Sequence, residues 1–261
     1  MDASSIRLVD YGPYIQAAAD RAGESAAAKR ASAARCKRKA DAAAEEARID
    51  DRVPGDAHVA AIRRMLDNFP GYSRSLAQQR FHKCFLGATL AHIYGPADFE
   101  KYRERILADH DLTEVTYEVL VCTPRRFGKT TAVSMFCAAL LMCVPDMWIA
   151  CFSTGQRASS SLLDLTAKLL CTQTGGAERI LKKNQEQLFL KGDSPADVRR
   201  LFSYPSSVAG LKGVGGKVII LEEASRLDEA VFTEVIVPLF GVKDTVREKG
   251  TLPFFCLDMH E

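Results

Sequence analysis

Val115-Thr-Tyr-Glu-Val-Leu-Val-Cys-Thr-Pro-Arg-Arg-Phe-Gly-Lys-Thr-Thr131 is the stretch on which the reading of the fold turns. Its first part, Val115–Cys122, is β-branched and aromatic and reads as a strand. The run Lys129 to Cys143, rich in Ala, Leu and Met, reads as a helix. Between them, Thr123 to Gly128 form a loop that ends at a helix N-terminus, where unpaired backbone N–H groups and the helix dipole attract an anion. The phosphate-loop (Walker A) pattern G-x-x-x-x-G-K-[ST] is met at Gly128, Lys129 and Thr130, with Thr123 in place of its first glycine. Gly128 lets backbone approach phosphate, Lys129 can reach the β- and γ-phosphates, and the Thr130 hydroxyl can face Mg²⁺. Thr123, Pro124, Arg125, Arg126, Phe127, Gly128, Lys129, Thr130 and Thr131 are therefore candidate nucleotide-binding residues, with ATP and Mg²⁺ as the expected cofactors.

The second half of such a site is an acid at the end of a neighbouring buried strand, which holds Mg²⁺, and a base that orients the attacking water. Val218-Ile-Ile-Leu-Glu-Glu223 supplies four apolar residues and then two carboxylates. Adjacent acids at a strand end are poorly explained by packing, because burying them unpaired is costly. Position assigns Glu222 to the metal and Glu223 to the base. Arg125 or Arg126 could stabilise charge on the transferring phosphoryl group.

Elsewhere, helical spacing runs over His58 to Asn68, Leu76 to Tyr94 and Ala97 to Ala108, with a further helix over Ala158 to Leu170 and another over Asp228 to Phe240. Met147 to Phe152, Val218 to Leu221 and Leu252 to Leu257 read as strands, and Gln187 to Leu190 with Val198 to Tyr204 as a paired-strand excursion. Strands alternating with helices imply an α/β fold with a mostly parallel sheet covered on both faces.

Residues 1–53 differ from the rest, holding sixteen alanines, ten Lys/Arg and nine Asp/Glu with few large apolar groups. They are expected to form a polar helical or mobile leader, set off by Val53-Pro-Gly-Asp56 from a globular domain over 54–261. Lys29-Arg30 and Arg35-Cys-Lys-Arg-Lys39 make a basic run that suits nuclear import, phosphate contact or simply a solvated helical face. Net charge is only +2, from 35 Lys/Arg against 33 Asp/Glu, so a nucleic-acid contact must come from a local basic surface. Eight cysteines without a Cys-x-x-Cys pair suit buried, reduced thiols, and the five histidines have no metal-ligand spacing. Trp148 is expected in the core. The N-terminus lacks a signal peptide's basic-then-apolar order and the longest apolar stretch is too short to span a bilayer, which disfavours secretion and a membrane partner.

With these residues in place the chain resembles a family. Val119 to Thr131, Trp148-Ile-Ala-Cys-Phe-Ser-Thr-Gly-Gln-Arg157, and Gly210-Leu-Lys-Gly213 leading into Val218-Ile-Ile-Leu-Glu-Glu-Ala-Ser225 are similar to the ATPase half of viral terminase large subunits, the type carried by tailed phages and herpesviruses. Pro-Arg-Arg-x-Gly-Lys-Thr most resembles the herpesvirus-like form, in which the loop's first glycine is also missing. The likeness extends over roughly Leu76 to Leu257. It implies a RecA-like (ASCE) P-loop NTPase core that pumps double-stranded DNA into a procapsid, working with a portal and other terminase subunits as a homo-oligomeric ring inside the infected cell.

The resemblance also implies roles. The family's loop arginine falls on Arg125, and its Asp-Glu pair falls on Glu222-Glu223, so an Asp has become Glu. The longer side chain moves the carboxylate by about 1.5 Å, which bears on activity. An adenine-contacting glutamine corresponds to Gln78 or Gln79, and the coupling motif at the end of the next strand to the region of Asp258. DNA contacts would fall among Arg157, Lys182, Lys183, Arg199, Arg200 and Lys212, which are otherwise ordinary surface charge. Length is expected to leave no space for the family's nuclease half. Two other readings stand beside this one. A helicase needs a second RecA-like domain, for which the 38 residues after Glu223 are too few; a non-hydrolysing structural relative is suggested by Glu222.

Overall fold

The computed structural model describes residues 53–123, 127–205, 215–227, 229–238 and 254–259. Residues 1–52 of the leader, the loop arginines Arg125 and Arg126 with Pro124, and Lys212 lie outside the described residues.

Four helices precede the first strand: α1 (Pro54–Asp67), α2 (Leu76–Tyr94), α3 (Pro96–Lys101) and α4 (Arg103–Asp109). Helix α1 buries Val59, Ile62, Met65 and Leu66, one stripe at helical spacing. Helix α2 begins at a capping box in which the Ser75 hydroxyl accepts from the Gln78 N–H and the Gln78 side chain accepts from the Ser75 N–H. It ends at Gly95, whose φ of 80° no β-carbon-bearing residue adopts cheaply. The single helix expected over Ala97 to Ala108 is two, because Tyr102 (φ −113°, ψ 20°) leaves the helical region between them.

The alternating part follows as β1 (Glu118–Thr123), α5 (Lys129–Cys143), β2 (Trp148–Ser153), α6 (Gln156–Cys171), α7 (Gly176–Arg179), β3 (Ile180–Lys183), β4 (Gln187–Lys191), β5 (Val198–Pro205) and β6 (Val218–Glu222). A 3₁₀ turn (Ala224–Arg226), α8 (Glu229–Val231) running into a π-helical turn (Phe232–Ile236), and β7 (Phe254–Met259) complete it. The strands form one sheet in the order β1-β7-β6-β2-β5-β4-β3. The first five in that order pair in parallel, and β4 and β3 add an antiparallel excursion. Strand β3 carries no periodic apolar signal: it is a short edge strand, mostly exposed and ending in two lysines.

Alternation along the strands divides the core in two. Ile149, Cys151, Leu188, Leu190, Leu201, Val218 and Ile220 face α1, α2, α5 and α6 on one side of the sheet. Ala150, Phe152, Ile219 and Leu221 face Val231, Val235 and Ile236 on the other. Helix α5 is buried from Ala132 to Leu141, as its nearly all-apolar sequence requires. At the β1 edge no described residue covers the second face, and Leu120 is 66% exposed.

Several expectations change with burial. Of the described cysteines, Cys137 and Cys151 are buried and Cys143 half-buried, but Cys84, Cys122 and Cys171 are exposed on outer faces. Trp148 is only half-buried, in an aromatic row with Phe202 and Phe189. Arg199 is not a surface cation available to DNA: it is 1% exposed, paired with Asp193 and Asp197, and donates to the Leu141 and Met142 carbonyls. It thereby satisfies the C-terminal carbonyls of α5. Lys183 pairs with Asp164, and Lys182 lies over the Phe189 ring and bonds Gln187. Arg200 is exposed on β5, and the side chain of Arg157, on α6, is not among those described.

Candidate functional site

The C-terminal ends of the parallel strands converge, and register shows how. Glu222 stands beside Ser153 of β2 on one side and Leu257 of β7 on the other. Strand β7 in turn sets Asp258 beside Cys122 and Met259 beside Thr123 of β1. Strand β7 therefore lies between the loop-bearing strand and the acid-bearing strand, and Asp258 holds a register position between the phosphate loop and Glu222. This is the sheet edge at which such folds place ligands.

Gly128 caps α5 with φ 82° and ψ 32°, a left-handed conformation suited to glycine. A β-carbon there would meet Gln78 Nε2 at 3.0 Å, so the Gln78 amide lies directly against the loop. Gln79 does not: its Nε2 donates to the Arg74 carbonyl. Of the two glutamines left open by sequence, the structure brings Gln78 to the site. Lys129 Nζ donates to the Thr123 carbonyl at 3.3 Å, folding the lysine back over the loop. Phe127 and Thr131 are half-buried beside it.

The Thr130 hydroxyl donates to Glu222 Oε1 at 2.6 Å, a bond between residues 92 apart in sequence that spans the width of β7. The longer Glu side chain thus reaches the loop threonine directly. Glu222 is 7% exposed, and its other oxygen, Oε2, is buried with no hydrogen-bond partner among the described residues. Burial pushes this carboxyl's pKa up and the neighbouring Glu223 charge adds to that, while the Thr130 hydrogen bond and Lys129 oppose it. A buried acceptor left open beside a threonine hydroxyl fits a hard divalent cation, which takes oxygen ligands and few of them from protein. Thr130 and Glu222 are the residues to hold it. Among the described residues no group of three or more His, Cys, Asp or Glu forms a metal cluster on its own.

Glu223 is half-buried and follows with φ 56° and ψ 51°, one of three non-glycine residues at positive φ among the described residues. Such a backbone costs of order 1–3 kcal/mol and concentrates at functional sites. Its carboxylate accepts from the Thr154 hydroxyl at 3.5 Å and lies 3.7 Å from Arg226. Sequence reasoning passed over Thr154 and Arg226; the Ser153-Thr154 exit of β2, level with Glu222, was the signal available for the first.

No protein-family model matches the sequence, and no curated protein matches it. Among solved structures, the HK97 bacteriophage large terminase superposes with a TM-score of 0.53 at 16% identity, over 80% of this chain and 38% of that one. The Thermus phage P74-26 large terminase ATPase domain matches at TM-score 0.42 and 15% identity, over 57% of this chain and 62% of that one. A mutant of the same domain gives 0.45 and 16%, over 58% and 62%. The chain thus spans about three fifths of the P74-26 domain and well under half of the HK97 protein. At these identities the likeness is one of fold: the α/β architecture with its largely parallel sheet is that of a phage large terminase.

Proposed function

We propose that this chain is the ATPase motor part of a viral DNA-packaging terminase, coupling ATP hydrolysis to movement of double-stranded DNA into a capsid. The observation that carries the reading is the Thr130–Glu222 hydrogen bond, which joins the phosphate loop to the acidic strand end beside a left-handed Glu223. In this reading, backbone N–H groups at the start of α5 and Lys129 bind the phosphates, and Gln78 borders the loop on the α2 side. Mg²⁺, bound at Thr130 and Glu222, would neutralise phosphate charge. Glu223 takes the proton of the attacking water, with Thr154 and Arg226 fixing its carboxylate. Arg125 is proposed to stabilise the transferring phosphoryl group. DNA, a portal, partner subunits and an intracellular setting belong to the same proposal, supported by the fold shared with the HK97 protein and by the motif order.

Hydrolysis of ATP by the purified chain, with and without duplex DNA, is the test. Glu223→Gln is expected to lower kcat by about 10²–10⁴ while nucleotide still raises the melting temperature. Lys129→Ala is expected to abolish that thermal shift. Arg125→Ala should lower kcat with little change in affinity. Equal background rates in wild type and all variants would sink the motor reading.

A further inference from the structure

Helices α2 and α5 meet in step beside the phosphate loop. Gln78 lies against Gly128, and one turn along both helices the His82 Nε2 is 2.8 Å from the Ala132 carbonyl oxygen. One further turn along α5, Phe136 lies nearly parallel to the His82 ring, with centroids 6.1 Å apart and planes at 17°. Steps of four residues keep each set on one helix face, so the contacts form a single seam.

His82 is 2% exposed, and both ring nitrogens are engaged. Its Nδ1 is 3.1 Å from Nη1 of Arg74, which is itself paired with Asp67. A carbonyl only accepts and a guanidinium only donates, so the ring is neutral with its proton on Nε2. Burial lowers its pKa to about 4, which keeps that form at neutral pH. Packing alone does not call for this arrangement, since an apolar side chain would fill the space without desolvating a polar ring. What the imidazole adds is a directed bond to the turn of α5 that carries Lys129 and Thr130. Displacing a positioned group by about 1 Å can cost about 10²-fold in rate.

We propose that His82, braced by Arg74 and Asp67, is a positioning residue that locks the first turn of α5 to α2, fixing Lys129 and Thr130 relative to Gln78. The inference rests on the nucleotide-binding reading above. His82→Leu fills the space and removes both hydrogen bonds; His82→Gln keeps a donor for Ala132 and an acceptor for Arg74. Three readouts on the full chain decide: amide hydrogen exchange over 127–134 without nucleotide, affinity for a fluorescent ADP analogue with Mg²⁺, and melting temperature. His82→Leu is expected to exchange about 10-fold faster there and to bind about 10-fold more weakly, with the Gln variant within about 3-fold of wild type on both. The proposal is overturned if His82→Leu leaves exchange and affinity unchanged, if the two variants change alike, or if affinity falls only in proportion to melting temperature. If the wild type binds no nucleotide, the function proposed above fails and the exchange comparison still decides on His82. Should His82→Leu not fold, Arg74→Leu, which removes only the outer partner, must show a smaller shift of the same sign in exchange; no shift there overturns the proposal as well.

Discussion

Gly128 has two separate reasons to be glycine. Its left-handed backbone would cost an L-residue roughly 1–2 kcal/mol, and a β-carbon would press on the Gln78 amide 3.0 Å away. Because the same Gln78 side chain closes the α2 capping box, displacing it also loosens the start of α2. Gly128→Ala should therefore lose about 1–2 kcal/mol in denaturant unfolding and weaken ADP binding more than that loss explains. Wild-type values in both measurements would contradict the argument. At this scale much of the candidate site was legible: Gly128, Lys129, Thr130, Glu222 and Glu223 were all named from local pattern, because their proposed chemistry depends on short spacings. The choice of Gln78 over Gln79 was not legible, since adjacent helical residues differ by about 100° in direction and only packing says which one faces the loop.

Elements join through a few buried polar residues. Arg199 ties β5 to the C-terminal end of α5 and to Asp193 and Asp197, all around a side chain that is 1% exposed. A basic residue next to another in an exposed hairpin reads as surface charge; its burial comes from strand alternation, which turns Arg199 inward and Arg200 outward. Removing one partner of a buried ion pair leaves the other uncompensated, typically at about 3–5 kcal/mol. Arg199→Met should lower the unfolding free energy by about that amount. A change under about 1 kcal/mol would mean that the aspartates and helix carbonyls find water instead. The interposition of β7 between β1 and β6 belongs to this scale too. Three apolar strands in sequence say that a parallel sheet exists, but not their spatial order.

The whole molecule carries a pH signature. His82 and His92 are both pushed down to about 4 by burial, with Arg74 adding at His82 and Lys217 at His92, and His110 is lowered the same way, with Arg63 adding. Between their ordinary value of 6.5 and about 4 the unfolded chain binds protons that the folded chain refuses. The histidine contribution to stability is therefore fully present above 6.5 and is lost as pH drops, by up to about 1.4 kcal/mol per pH unit for each of His82 and His92. Melting temperature should decline from pH 6.5 to 4 in wild type and decline less in the His82→Gln, His92→Gln double variant. Parallel profiles for the two would refute the assignment.

The sequence by itself determined the alternation of strands and helices and placed the Gly-Lys-Thr loop and the acidic strand end, because periodicity, glycine placement and adjacent charges act over a few residues. Only the tertiary structure decided which distant groups meet: Thr130 with Glu222 across β7, Gln78 with Gly128, His82 with Ala132, and Arg199 with the end of α5. Those pairings depend on sheet order and helix rotation, which the packing of two cores on the two faces of one sheet selects as a whole.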